Sequence, residues 1–274
     1  MKNNNIVHPS YTIINGVLSI LEGVTSIEAF KFEECLSIEK VVLPESLTEI
    51  GEYAFVGCTA LKEARLPKSL KVIGVGAFSS TGLVSVRIPD GAAIGEQAFM
   101  DCPALKTVEL PKSLTEIEAY AFARCTALET ICLPENLTEI GAGAFASAGL
   151  KTVRLPKSLT KIGRTAFWGC ASLKRISIPD GVEIGDCAFM DCRALAEVRL
   201  PDSLTSIDDF TFSECASLED IVIPNSVDTI GARAFWCCTA LKKISIPDTV
   251  KVIGKDAFSG CTALEDIPEM PIAE

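Results

Sequence analysis

Histidine is nearly absent: of 274 residues only His8 is one, and tryptophan and tyrosine are also scarce, at two and three. A lone imidazole near the N-terminus leaves no Cys-His pair and no Ser-His-Asp triad to assemble, so nucleophilic catalysis has no general base. Carboxylates are plentiful, but they alternate with other solvent-facing residues and do not converge on a pocket. The phosphate-cradling patterns GxGxxG and GxxxxGK[ST] and the calcium repeat GGxGxD are missing as well. A non-enzyme is expected. Basic residues are in deficit, 25 Lys and Arg against 36 Asp and Glu, for a net charge of −11. Phosphate binding needs basic surface, so nucleic acid is not an expected partner. There is no apolar run of about eighteen residues, so no transmembrane helix and no membrane insertion are expected. The opening MKNNNIVHPSYTIING has one lysine, no long apolar stretch and no small-residue cleavage site, unlike a signal peptide. A cytoplasmic location follows, the alternative being a secreted or cell-surface protein whose export signal was removed.

What the chain has in quantity is a repeat. Aligned on one leucine row, LKTVELPKSLTEIEAYAFARCTA from Leu105, LETICLPENLTEIGAGAFASAG from Leu128 and LKTVRLPKSLTKIGRTAFWGCAS from Leu150 share the pattern LxxIxLPxxLTxIGxxAFxxC, with a unit of 22 or 23 residues. A period of this length signals a solenoid, because one unit cannot bury its own apolar face and must stack on its neighbours. In LxxIxLP the first, fourth and sixth positions are apolar and the proline ends the run, which predicts one short strand per unit, stacked in parallel into a curved sheet. LTxIG alternates and predicts a second short extended segment, closed by a glycine at positive φ. AFxxC predicts a helical or 3₁₀ turn that carries Ala, Phe and Cys inward. All thirteen phenylalanines fit the scheme, eleven in the AF row and Phe30 and Phe210 two places before it. The expected fold class is therefore α/β, rich in β: a repeat solenoid of eleven coils, on the order of 50 Å long at about 4.8 Å per coil.

This repeat resembles the BspA-type leucine-rich repeats over residues 20 to 267, and YTIINGVLSI resembles the strand, Asn-Gly turn and strand that precede such arrays. Asn15-Gly16 between alternating apolar residues is itself a hairpin signal. The expected organisation is an N-terminal extension and capping hairpin over 1–37, ten repeats over 38–263, and a partial repeat and tail over 264–274. The resemblance implies a bacterial or microbial-eukaryote origin and, for exported members, adhesion to host or matrix proteins.

Twelve cysteines raise the question of bridges or metal. Nine of them (Cys35, Cys58, Cys102, Cys125, Cys170, Cys192, Cys215, Cys238 and Cys261) hold one repeat position. Stacked in register their Cβ vectors run parallel about 5 Å apart, whereas a disulfide needs them turned together at roughly 3.8 Å. A straight column does not converge tetrahedrally on zinc either. They are expected to pack as small apolar side chains, with no metal and no cofactor. Cys132, Cys187 and Cys237 stand off the row, and exposed thiols fit a reducing compartment. A thiol-rich metal or redox module is the weaker alternative.

The strand face offers a better site. The second, third and fifth positions of LxxIxLP face solvent, and over ten repeats they carry twelve basic and seven acidic residues, net +5 in a chain of −11. Arg65, Arg87, Lys106, Lys151, Arg154, Lys174, Arg175 and Arg199 are the candidates there, suited to carboxylates on an acidic partner protein. The same mixed rows also serve as solubilising ladders. A second candidate is an apolar patch among Met100, Trp168, Met190 and Trp236, in the row after phenylalanine. Partial burial of these side chains under a loop is the other reading. The functional expectation is a monomeric protein-protein interaction module; the alternative is a structural or self-associating scaffold without a dedicated ligand.

Overall fold

A computed structural model describes residues 5–265. The chain winds into stacked coils, each with a front strand, a lateral strand and a side built of turns. Ten front strands of two or three residues run from Lys40–Val42 to Lys243–Ser245, and eleven two-residue lateral strands run from Ser26–Ile27 to Val252–Ile253. All pairing between coils is parallel, as in Val41 beside Ala64 and Ile176 beside Val198. Among the described residues there is no helix.

The front sheet starts from an antiparallel unit, Ile6–His8, Tyr11–Ile14 and Val17–Ile20. Ile14 pairs with Val17 across Asn15 and Gly16, whose φ values of 50° and 78° make the two-residue turn that matches strand twist. Val17–Ile20 then pairs in parallel with Lys40–Val42, and the ladder runs on to Thr107–Glu109; beyond it the front strands pair two by two, Thr130–Ile131 with Thr152–Val153, Arg175–Ser177 with Glu197–Arg199 and Asp220–Val222 with Lys243–Ser245. The hairpin also closes the core: the Tyr11 ring meets Phe32 edge-on at 5.1 Å.

Behind Tyr11 the eleven AF-row rings, Phe32 to Phe258, form one unbroken stack with centroids 5.2–5.8 Å apart and planes within 16° of parallel. Nine of these rings are fully buried. Each contributes roughly 1.5–3 kcal/mol through burial. Leucine and isoleucine columns from both sheets complete the core.

The turn side departs from the expected helical or 3₁₀ turn. In every coil the residues two before and two after the AF-row phenylalanine have positive φ, for example Tyr120 (56°) and Arg124 (61°) around Phe122. The result is a chain of tight turns, with Ala123 N donating to Tyr120 O and Cys125 N to Phe122 O. A left-handed residue costs about 1–2 kcal/mol when it carries a side chain. The offset is a third ladder: Tyr120, Phe122 and Arg124 donate their N–H groups to Ala142, Ala144 and Ala146 of the next coil at 2.7–2.9 Å. A helix would turn those donors inward along its own axis and leave the coils without this bonding.

The LTxIG glycine also differs from expectation. Gly51, Gly74, Gly141 and Gly163 do not have positive φ; an added Cβ on Gly163 would lie 2.7 Å from Ala142 N and 2.8 Å from Gly141 C. Glycine is there because adjacent backbones approach too closely for a side chain. Where Glu118 and Asp208 replace it, the lateral sheet stops: Ala93–Ile94 does not pair with Glu116–Ile117, nor Glu183–Ile184 with Ser206–Ile207. The expected tail, 264–274, lies almost wholly outside the described residues.

Candidate functional site

The cysteine row sits behind the turns. Eight of its nine thiols are buried and donate to the phenylalanine carbonyl of the preceding coil: Cys58 to Phe32 at 3.0 Å, Cys170 to Phe145 at 3.1 Å, Cys238 to Phe212 at 3.1 Å. Six of these eight carbonyls also accept a backbone N–H of their own coil, as Phe145 O does from Ala148 N, and Phe78 O accepts the Thr81 hydroxyl, so the sulfur fills a second lone pair there. Burial pushes the thiols of Cys58 and Cys170 up to about 12, and Cys125 and Cys192 well up for the same reason. Protonated donors of this kind are poor nucleophiles and poor ligands. All twelve cysteines are free, and among the described residues no three His, Cys, Asp or Glu side chains gather in a way that could hold a metal ion. Cys132 is exposed beside the strand Thr130–Ile131, whereas Cys187 and Cys237 are half-buried at left-handed turn positions with φ of 56° and 57°.

All eight front-sheet candidates are exposed. Two are matched by a carboxylate from the adjoining coil: Arg87 reaches Glu109 at 3.4 Å and Lys151 reaches Glu129 at 2.7 Å. Such open pairs contribute little and exchange readily. Arg65, Lys106, Arg154, Lys174, Arg175 and Arg199 make no ion pair among the described residues. Arg154, Lys174, Arg175 and Arg199 come from three successive coils, with Glu197 opposite Arg175 in register as the acid among them. Arg199 also borders a cleft of about 410 Å³ shared with Lys157, Asp180 and Asp202. The Asp180 carboxylate there accepts from Asp202 N at 3.0 Å. Lys157 lies past the strand-ending proline, outside the three strand positions that the repeat marks as solvent-facing.

The apolar candidates divide. Met100, Trp168 and Met190 line one open groove of about 710 Å³ on the turn side, together with Tyr120, Ala123 and Ala146. Trp168 is 42 % exposed, uncovered by any loop among the described residues. Trp236 is not part of the groove: Ser213 occupies its row position in the coil between Met190 and Trp236. Tyr120 and Cys187 join from the row two places before phenylalanine, whose residues vary from coil to coil, so the repeat did not mark them as part of a site.

No curated protein matches the chain. Solved structures do. A leucine-rich repeat protein from Bacteroides ovatus ATCC 8483 is 25% identical over 99% of this chain and 97% of its own, with a TM-score of 0.55. A leucine rich cell surface protein from Faecalibacterium prausnitzii A2-165 is 28% identical over 97% and 94%, with a TM-score of 0.53. A leucine-rich repeat protein from Eubacterium ventriosum ATCC 27560 shares the fold at 20% identity over 94% and 87%, with a TM-score of 0.62. The family model for the BspA type Leucine rich repeat region (6 copies) matches residues 14–102, 92–183 and 182–271. Repeat, buried columns and family match agree over nearly the whole length, and the chain belongs to the BspA-type leucine-rich repeat family.

Proposed function

We propose that this protein is a non-enzymatic interaction module whose front sheet binds an acidic patch on a partner protein. The observation that carries the reading is the set of exposed cations without an ion pair among the described residues, Arg154, Lys174, Arg175 and Arg199, on the front side of three successive coils of a chain whose net charge is −11. A planar guanidinium is pre-organised for a carboxylate, so less freedom is lost per hydrogen bond, which favours bidentate recognition. Repeat proteins of this family generally bind proteins or serve as scaffolds. Likeness to a leucine rich cell surface protein supports a surface location, where such binding would amount to adhesion.

Biolayer interferometry against immobilised poly-L-glutamate tests the reading. Arg154→Glu with Arg175→Glu should abolish binding while leaving the unfolding midpoint unchanged. Retained binding by the double variant removes the front sheet from consideration. Concentration-dependent assembly in light scattering, with no binding to the acidic polymer, would favour the self-associating scaffold instead.

A further inference from the structure

The groove on the turn side has a definite origin in the sequence. In the row after phenylalanine the residues run Met100, Ala123, Ala146, Trp168, Met190. Two alanines between bulky side chains leave two coils' worth of missing volume, bounded by methionine and tyrosine at one end and tryptophan and methionine at the other. Ala123 and Ala146 are 1% and 6% exposed, so the floor is packed and does not open into the core. The resulting 710 Å³ falls within the range of small-ligand sites, roughly 300–1,000 Å³.

The walls hold two rings that lack a ring partner. Tyr53, at the repeat position of Tyr120, stacks on Phe30 at 5.3 Å. Neither Tyr120 nor Trp168 makes an aromatic pair among the described residues, and they are 39% and 42% exposed. Tyr120 is seated from below on Gly143, whose position would not admit a Cβ beside the tyrosine ring. Its ring orientation is therefore set by backbone, a form of preorganisation.

Charge at the site is uneven. Among the described residues Arg124 is the one charged residue that lines the groove. Its partner Asp101 stands 3.3 Å away in an exposed pair that yields readily to a competing anion. Arg164 lies beside the Cys187 thiol at the rim, with Asp186 and Asp209 further round it, and makes no ion pair among the described residues. Ser147 and Thr165 add hydroxyls.

We propose that this groove binds a small planar aromatic anion, its ring held between Trp168 and Tyr120 over Ala123 and Ala146 and its negative group directed to Arg124 and Arg164. Flat rings match the two unpartnered faces better than an alkyl chain does, because aromatic pairs gain from quadrupole alignment beyond area burial. The site is on the turn side and shares no residue with the front sheet, so the two readings stand or fall separately.

The test uses 2-naphthoate as probe and Trp168 as reporter, in a Trp236→Phe background where Trp168 is the remaining tryptophan. Saturable quenching of Trp168 emission is expected at or below millimolar probe, and Arg154→Glu with Arg175→Glu should leave it unchanged. Ala146→Phe, which fills the floor, should weaken binding by about tenfold or more. Should that variant fail to fold, Trp168→Ala replaces only an open wall, and loss of ligand-observed saturation transfer from 2-naphthoate gives the same answer. Arg124→Gln with Arg164→Gln should weaken 2-naphthoate and leave 2-naphthalenemethanol unaffected. No saturable change, or undiminished binding after Trp168→Ala, overturns the proposal. Equal binding of the neutral alcohol by the unaltered groove overturns its anionic part, and equal binding of decanoate its aromatic part.

Discussion

Replacing Gly163 by alanine tests the claim that lateral glycines serve backbone contact. The new Cβ would stand 2.7 Å from Ala142 N, 2.8 Å from Gly141 C and 3.1 Å from Ala142 Cα, all backbone atoms of the preceding coil. Backbone cannot swing aside as a side-chain end can, so the two coils must separate locally. That separation lengthens the bond from Gly163 N to Ile140 O, now 2.8 Å, and the adjoining pairing of Lys161–Ile162 with Glu139–Ile140. One lost hydrogen bond is worth about 0.5–1.5 kcal/mol and overpacking about 1–3 kcal/mol, so the cost is roughly 2–4 kcal/mol. Gly181→Ala is the control: its φ is +80° and, among the described residues, nothing lies within 4 Å of the added Cβ. Only the left-handed backbone is penalised there, at about 1 kcal/mol. Urea unfolding followed by circular dichroism should move the Gly163→Ala midpoint down by about 1 M, for m near 3 kcal/mol/M, and Gly181→Ala by less than half as much. A Gly163→Ala midpoint equal to or above that of Gly181→Ala would refute the close-approach argument. The protein already contains the same perturbation at Glu118 and Asp208, where the lateral ladder is broken.

Native thiol labelling should find exposed Cys132 reacting first, half-buried Cys35, Cys187 and Cys237 more slowly, and the eight buried cysteines only on unfolding; rapid modification of any of those eight contradicts the buried column. Phe145, fully buried between Phe122 at 5.8 Å and Phe167 at 5.5 Å, should cost about 3–5 kcal/mol when changed to alanine, read from the urea midpoint. Alkaline unfolding should follow the thiols. A thiol ordinarily near 9 and raised to about 12 by burial, as at Cys58 and Cys170, stays protonated in the fold while the unfolded chain ionises. Stability is therefore full below pH 9 and declines as pH rises toward 12. A Cys170→Ala variant should show a shallower decline over that window, and an unchanged slope would argue against burial as its cause.

The repeat was legible because each coil buries the same face: leucine, isoleucine, phenylalanine and cysteine recur at fixed spacing, and the eleven-ring stack follows from the AF row alone. The hairpin was legible from Asn15-Gly16 for a local reason, since two residues of positive φ suit that turn. The turn side was not. AFxxC is compatible with a helical turn by composition, and only bonding to the next coil, as from Arg124 N to Ala146 O at 2.7 Å, favours alternating left-handed residues. The lateral glycines misled for a related reason, because positive φ and close approach both select glycine and differ only in what lies opposite.

The candidate sites divide along the same line. Which residues face solvent on the front sheet follows from strand alternation, so all eight cations were located from spacing. Which of them carry an ion pair, Arg87 and Lys151 against Arg154 and Arg175, depends on the carboxylate opposite and on side-chain reach across coils. The groove required more. Met100, Trp168 and Met190 were visible as large residues, but that Ala123 and Ala146 form its floor, that Tyr120 turns toward it over Gly143, and that Trp236 is excluded are consequences of stacking order. By itself the sequence determined the coil, its buried columns and its solvent-facing rows, because these repeat every 22 or 23 residues. Tertiary structure decided how coils bond on the turn side and which side chains meet between them, since those contacts join residues a full coil apart whose identities the repeat leaves free.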